Sequence, residues 1–179
     1  GQNKLFQNTG GKFTQVFADA GPTDPRPTVG ACWLDVDNDG DLDLFLANQS
    51  GAADAVWRND RTGFTDVAVA LDMAGPTRTK AEGGVGCAVG DYDNDGHLDI
   101  FVPNYGHNQL YRNNGNGTFT DVAAKVGVGV ENHAVGSDWG DYDNDGDLDL
   151  SVISYVGDPG AQTPLNALFR NDGAAGFVN

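Results

Sequence analysis

Positive charge is what this chain has least of. Ten Lys and Arg stand against 26 Asp and Glu in 179 residues, a formal net charge of −16. Nothing gathers the ten into a basic patch, so nucleic acid is disfavoured as a partner. Cysteine is scarcer still, at two residues. Cys32 and Cys87 make no disulfide framework, and nothing offers zinc a thiolate set or paired imidazoles. The pair is expected as two free buried thiols, a bridge arising only if their strands are neighbours. No apolar run approaches the ~20 residues that cross a bilayer, and no signal peptide is visible, so no membrane insertion is expected. Sustained helical periodicity is missing as well. "DVAVALDMAG" and "DVAAKVGVG" allow one helical turn each.

Glycine is what the chain has in excess, at 26 residues, about twice the ~7% background. Many tight turns, and therefore many short strands, follow. The acidity is local. The stretches 35–43, 91–99 and 141–149 hold 14 of the 26 acidic residues, and outside them 12 acids face 10 bases. Local acidity argues for bound cations rather than a generally basic partner.

The acidic stretches are copies of one another. "DVDNDGDLDLFL" begins at Asp35, "DYDNDGHLDIFV" at Asp91 and "DYDNDGDLDLSV" at Asp141, at intervals of 56 and 50 residues. Between them run "LFQN" from Leu5, "VWRN" from Val56, "LYRN" from Leu110 and "LFRN" from Leu168. Each is followed by a turn and then a phenylalanine: Phe13, Phe64, Phe119 and Phe177. Gly30, Gly86 and Gly136 each precede an acidic loop by five positions. One unit reads as strand, acidic loop, strand, variable loop, strand, hairpin turn, strand. Four-stranded meanders at a period near 50 residues are the pattern of propeller blades. The expectation is an all-β chain of three to three and a half blades. Residues 4–17 end one blade, 29–68 and 85–123 form two whole blades, and 135–179 form a nearly complete one. The opening "GQNKLFQN" reads as the middle of a repeat, so a longer propeller or a multi-chain assembly is expected.

The loop pattern is D-x-D-x-D-G-x-x-D. Side chains at positions 1, 3, 5 and 9, with the carbonyl at 7, can converge on one cation, and glycine at 6 permits the bend. All-oxygen donors in a flexible ring suit Ca²⁺; Mg²⁺ demands a tighter octahedron and ranks second. An EF-hand needs a bidentate Glu at position 12 and flanking helices. Position 12 is Leu46, Val102 or Val152, inside an apolar strand, so the metal loop lies between strands.

These loops, followed by "LDLFL" or "LDIFV", resemble the FG-GAP/VCBS repeat family, which includes the calcium-binding blades of integrin α-chain propellers. "LYRNNGNGTFTDVAAKVGV" is similar to extracellular repeat proteins of the cartilage-acidic-protein type. The resemblance implies three Ca²⁺ sites. The first takes Asp35, Asp37, Asp39, Asp43 and the Asp41 carbonyl. The second takes Asp91, Asp93, Asp95, Asp99 and the His97 carbonyl. The third takes Asp141, Asp143, Asp145, Asp149 and the Asp147 carbonyl. It also implies a secreted or cell-surface location and a full propeller of about six or seven blades.

The remaining candidates are read as structural. Phe6, Trp57, Tyr111 and Phe169 recur at one blade position, and Trp33 and Trp139 at another, which argues for inter-blade core. Arg58, Arg112 and Arg170 are expected to bond a neighbouring turn. His107, His133 and Asp138 lie in different units without a nucleophile motif, so no catalytic role is expected. Asn48 and Asn116 head glycosylation sequons. The loops 18–29, 70–84 and 154–166 vary most between units and are where a protein or glycan ligand would bind. The expected function is a non-enzymatic, extracellular Ca²⁺-binding propeller module for adhesion, interaction or assembly, with self-association through open blade faces. The alternatives are a carbohydrate-binding propeller lectin and the non-catalytic propeller domain of a larger enzyme.

Overall fold

Short apolar stretches bounded by turn residues give strands and little else. The computed structural model describes residues 3–15, 26–155 and 166–179. β1 (Phe6–Thr9) and β2 (Lys12–Gln15) form an exposed hairpin. Gly10 and Gly11 between them both take positive φ, at 61° and 84°, as a two-residue hairpin turn requires. The first complete sheet is a meander of β3 (Thr28–Leu34), β4 (Asp43–Asn48), β5 (Ala55–Asn59) and β6 (Phe64–Asp66). After β7 (Gly83–Gly84), the second four-stranded sheet takes β8 (Ala88–Gly90), β9 (Asp99–Val102), β11 (Gln109–Asn113) and β12 (Phe119–Asp121). All pairings are antiparallel. The molecule is thus all-β, built of blade-type sheets. The two stretches expected to make helical turns do so: α1 (Ala123–Val126), and a turn in which Leu71 N donates to Val67 O.

The third sheet is larger than the repeat implies. β13 (Glu131–Gly140) runs ten residues and pairs through its second half with β14 (Asp149–Ser154), followed by β15 (Asn166–Asn171) and β16 (Phe177–Val178). Its first half pairs with β10 (Asn104–His107), which pairs in turn with β7, making six strands. The polar loop "PNYGH" carries no period-2 apolar signal, so this extension was not expected.

Strand alternation decides how the sheets stack. On β4, Phe45 and Ala47 join a cluster with Ile100 and Val102 of β9; Leu44 and Leu46 face the other way. On β9, Phe101 joins a second cluster with Leu150 and Val152 of β14. The second sheet therefore lends one face to the sheet before it and the other to the sheet after it. Gly30, Gly86 and Gly90 sit at these contacts, whereas a Cβ on Gly136, the third of the recurrent glycines, would meet nothing within 4 Å. A Cβ on Gly30 would lie 2.5 Å from Gly86 Cα, and one on Gly90 would lie 2.9 Å from the Trp139 ring.

The cysteines correct the sequence reading. Cys32 and Cys87 form a disulfide, with Cα atoms 6.2 Å apart. Cys32 stands three residues before its acidic loop and Cys87 four before. That offset puts them on opposite faces of equivalent strands, so one faces forward and the other back. Because β3 and the segment entering β8 adjoin at the Gly30–Gly86 contact, the two sulfurs meet.

The aromatics divide. Tyr111 and Phe169 are buried and Trp57 half-buried, while Phe6 is 50% and Trp33 45% exposed. Trp139 packs against Phe101 and Tyr92 of the preceding sheet. Of the variable loops, residues 18–25 and 156–165, with 16–17 of the first blade end, lie outside the described residues. The loop 70–84 folds inward: Met73 is buried, and Arg78 donates to buried Asp54 and to Gln109, both at 2.8 Å.

Candidate metal centres

Two left-handed residues shape each acidic loop. Position 4 is Asn38, Asn94 or Asn144, with φ of 60°, 56° and 62°. Position 6 is Gly40, Gly96 or Gly146, with φ of 87°, 89° and 96°. Asparagine tolerates this region and glycine meets no cost there. The hairpin so formed turns its amides onto its own carboxylates. The position-1 aspartates Asp35, Asp91 and Asp141 accept from the position-5 N–H at 3.2, 3.0 and 3.1 Å, and from the glycine N–H at 3.0, 2.9 and 3.1 Å. Asp39, Asp95 and Asp145 accept from the position-7 N–H at 2.9, 3.0 and 2.9 Å.

The ninth aspartate ties the loop to the sheet. Asp43, Asp99 and Asp149 are buried, at 0%, 0% and 1% exposure. One oxygen of each accepts from the position-2 N–H (Val36, Tyr92, Tyr142) at 2.8, 3.1 and 2.9 Å. The other accepts from the N–H of Asn59, Asn113 or Asn171 at 2.7, 2.7 and 2.8 Å. These asparagines end the "WRN", "YRN" and "FRN" strands, and their side chains donate to the position-8 carbonyls Leu42, Leu98 and Leu148 at 3.4, 3.3 and 3.1 Å. Asn171 donates also to Tyr92 O at 2.8 Å, across to the preceding loop. The sequence reading gave these asparagines no role; their fixed place in every unit was the available signal.

Carboxylate oxygens of Asp35, Asp37 and Asp39 lie within 4.8 Å of one another, as do those of Asp91, Asp93 and Asp99, and of Asp141, Asp143 and Asp149. Asp43, Asp95 and Asp145 stand outside these groups of three. At position 7 the side chains turn to other partners. Asp41 pairs with Arg61, Asp147 accepts from Asn94 Nδ2 at 2.7 Å, and the His97 ring lies over Gly115. That leaves position 7 its carbonyl, the group the pattern needs there.

Arg61 and Arg112 pair with Asp41, Asp93 and Asp95, but three of the carboxylates are left without such compensation. Burial pushes the Asp99 carboxyl up to about 7, with Asp93 and Asp95 adding to the rise and two backbone N–H groups opposing it. Asp43 is raised for the same leading reason. Asp143 is raised by desolvation and by Asp145, Asp149 and Asp141. Clustered carboxylates held at this proximity could hold a hard divalent cation, since their donor atoms are all oxygen.

The arginines are placed unequally. Arg58 and Arg170 bond the turn that follows them, through Asp60 and Asp172, both at 2.7 Å. Arg112 instead reaches the acidic loop, at Asp93. His107 and His133 lie on the paired strands β10 and β13, closer than their separate repeat units suggested; His107 meets Gly129 O at 3.2 Å and His133 packs on Tyr105. Asn48 is buried, accepting from Thr28 Oγ1 at 2.7 Å and donating to Ala53 O at 2.8 Å, whereas Asn116 is exposed. Between the second and third sheets lies a cleft of about 440 Å³, lined by Tyr92, Asp93, Arg112, Lys125 and Asp147 among others. Its one aromatic lining residue, Tyr92, is buried.

A family model described as the FG-GAP-like repeat matches residues 35–102 and 91–152. Human cartilage acidic protein 1 is 32% identical to this chain over 123 residues, which is 63% of this chain and 18% of that protein. The chain thus spans under a fifth of the length of that relative.

Proposed function

The chain belongs to the FG-GAP-like repeat family, and on that premise we propose that it is an extracellular, non-enzymatic propeller segment whose three acidic loops bind structural Ca²⁺. The observation that carries the reading is the loop skeleton, made three times with the same hydrogen bonds around carboxylates within 4.8 Å of one another. Asp35, Asp37, Asp39 and Asp43 hold the first ion, Asp91, Asp93, Asp95 and Asp99 the second, and Asp141, Asp143, Asp145 and Asp149 the third. The carbonyls of Asp41, His97 and Asp147 complete the shells. Calcium supplies charge compensation here. The chain's own part is to hold the oxygens converged, chiefly through the backbone bonds to the ninth aspartate.

The Cys32–Cys87 disulfide supports an oxidising, extracellular setting. Millimolar external calcium fills even weak sites, and each site stabilises the fold by about 0.6–2 kcal/mol when its Kd is 0.1–1 mM. His107 meets Gly129 O and His133 packs on Tyr105, contacts in keeping with structural roles for both. Adhesion or assembly partners would meet the loops and outer sheet faces. Exposed Ile153 and Leu168 on β14 and β15 suit such contact.

Thermal unfolding with calcium, magnesium and chelator tests the metal reading. The expected result is a melting temperature raised by calcium, more than by magnesium, and returned by chelator, with three ions per chain by calorimetry. No shift at about 10 mM calcium, far above the range for extracellular modules, overturns it.

A further inference from the structure

The three loops share a skeleton, yet their arginines do not share a partner. Arg58, Arg112 and Arg170 each stand two residues before position 60, 114 or 172. Where that position is Asp, it holds the guanidinium. Arg58 Nε donates to Asp60 Oδ1 at 2.7 Å and stays 3.8 Å from Asp37. Arg170 donates to both oxygens of Asp172, at 2.7 and 3.1 Å. In the middle unit the position is Asn114. Its amide nitrogen donates to Thr118 and Thr120 at 3.0 and 3.1 Å, and it offers Arg112 no carboxylate. Arg112 turns onto the acidic loop, donating to Asp93 Oδ2 at 2.6 Å and Asp95 Oδ2 at 3.2 Å.

We propose that Asn114 makes the middle loop the weak calcium site, because it leaves Arg112 to compete with the ion for Asp93 and Asp95, while Asp60 and Asp172 hold their arginines back from hydrogen bonding the carboxylates of the outer loops. The inference rests on the calcium reading above. A guanidinium and a divalent cation repel at this range, and they seek the same lone pairs. The Arg112 side chain is 41% exposed and lines the open cleft, so calcium displaces it rather than being excluded. Solvent screening limits the penalty to roughly tenfold in affinity.

A calcium titration of the full chain, followed by the amide resonances of Gly40, Gly96 and Gly146, reads the three loops separately. Gly96 is expected to titrate at about tenfold higher calcium than the other two. Arg112→Gln should move the Gly96 midpoint down to theirs and leave theirs in place. Asn114→Asp should also lower it in the parent chain. In the Arg112→Gln background it should do little, which separates a recaptured arginine from a mere added charge. Asp60→Asn should weaken the Gly40 response by freeing Arg58 onto Asp37. A Gly96 midpoint equal to the others, or unmoved by Arg112→Gln, overturns the proposal and leaves the calcium reading standing. Silence at all three glycines overturns both.

Discussion

Cutting the Cys32–Cys87 link is the sharpest test of how the first two sheets are joined. The bridge spans a sequence separation of 55. Closing a loop of that length restrains the unfolded chain by about 4 kcal/mol on the chain-entropy account. In the folded state the sheets share a core of Leu34, Phe45, Val56, Ile100 and Tyr111, together with the Gly30–Gly86 contact. They should therefore stay packed when the sulfurs part, and the loss should appear as destabilisation without rearrangement. Urea unfolding followed by tryptophan fluorescence, with and without reductant and in saturating calcium, reads the difference. With an m-value of about 2 kcal/mol/M, the midpoint should fall by about 2 M. Cys32→Ser with Cys87→Ser should match the reduced chain. The reasoning is refuted if the unreduced, denatured chain takes up two equivalents of alkylating agent, or if the midpoint moves by less than about 0.3 M.

Further outcomes are expected. The Asp99 carboxyl is raised from 3.8 to about 7, so the folded metal-free chain binds a proton there that the unfolded chain has released. Its stability contribution is present below about pH 4 and lost as pH rises through about 7, the reverse of a salt-bridged aspartate. Chelated wild type should show this fall relative to Asp99→Asn, and calcium, which takes the ionised form, should remove it. Arg78→Met removes the ion-pair partner of buried Asp54 and should cost about 3–5 kcal/mol in urea unfolding. Gly30→Ala drives a methyl into the Gly86 backbone and should cost about 1–3 kcal/mol, whereas Gly86→Ala, whose added Cβ meets only Pro103 at 3.7 Å, should cost far less. Secretion from a glycosylating host should modify exposed Asn116 and spare buried Asn48, read by glycopeptide mass.

What was legible beforehand is whatever repeats or depends on near neighbours in the chain. The threefold repeat of D-x-D-x-D-G-x-x-D followed by an apolar strand is local chemistry, so the sheets and the convergence of Asp35, Asp37 and Asp39 could be read off one unit. The same holds for the hairpin at Gly10 and Gly11. The added strands β7 and β10 escaped notice because their pairing is set by the long β13 reaching back, not by any pattern of their own. The Arg112 contact escaped notice because it turns on one neighbour, Asn114 in place of an aspartate.

Loop composition, strand parity and repeat length were determined by the sequence alone, since each follows from backbone sterics and side-chain alternation within a few residues. Which sheet faces touch was decided only by tertiary structure. That choice joins Cys32 to Cys87, buries Trp139 more than Trp33, and sets Asn171 against the Tyr92 carbonyl of the preceding loop. The physical reason is distance along the chain: contacts between residues 50 or more apart leave no mark on local pattern, and only the stacking of one sheet on the next brings them within reach.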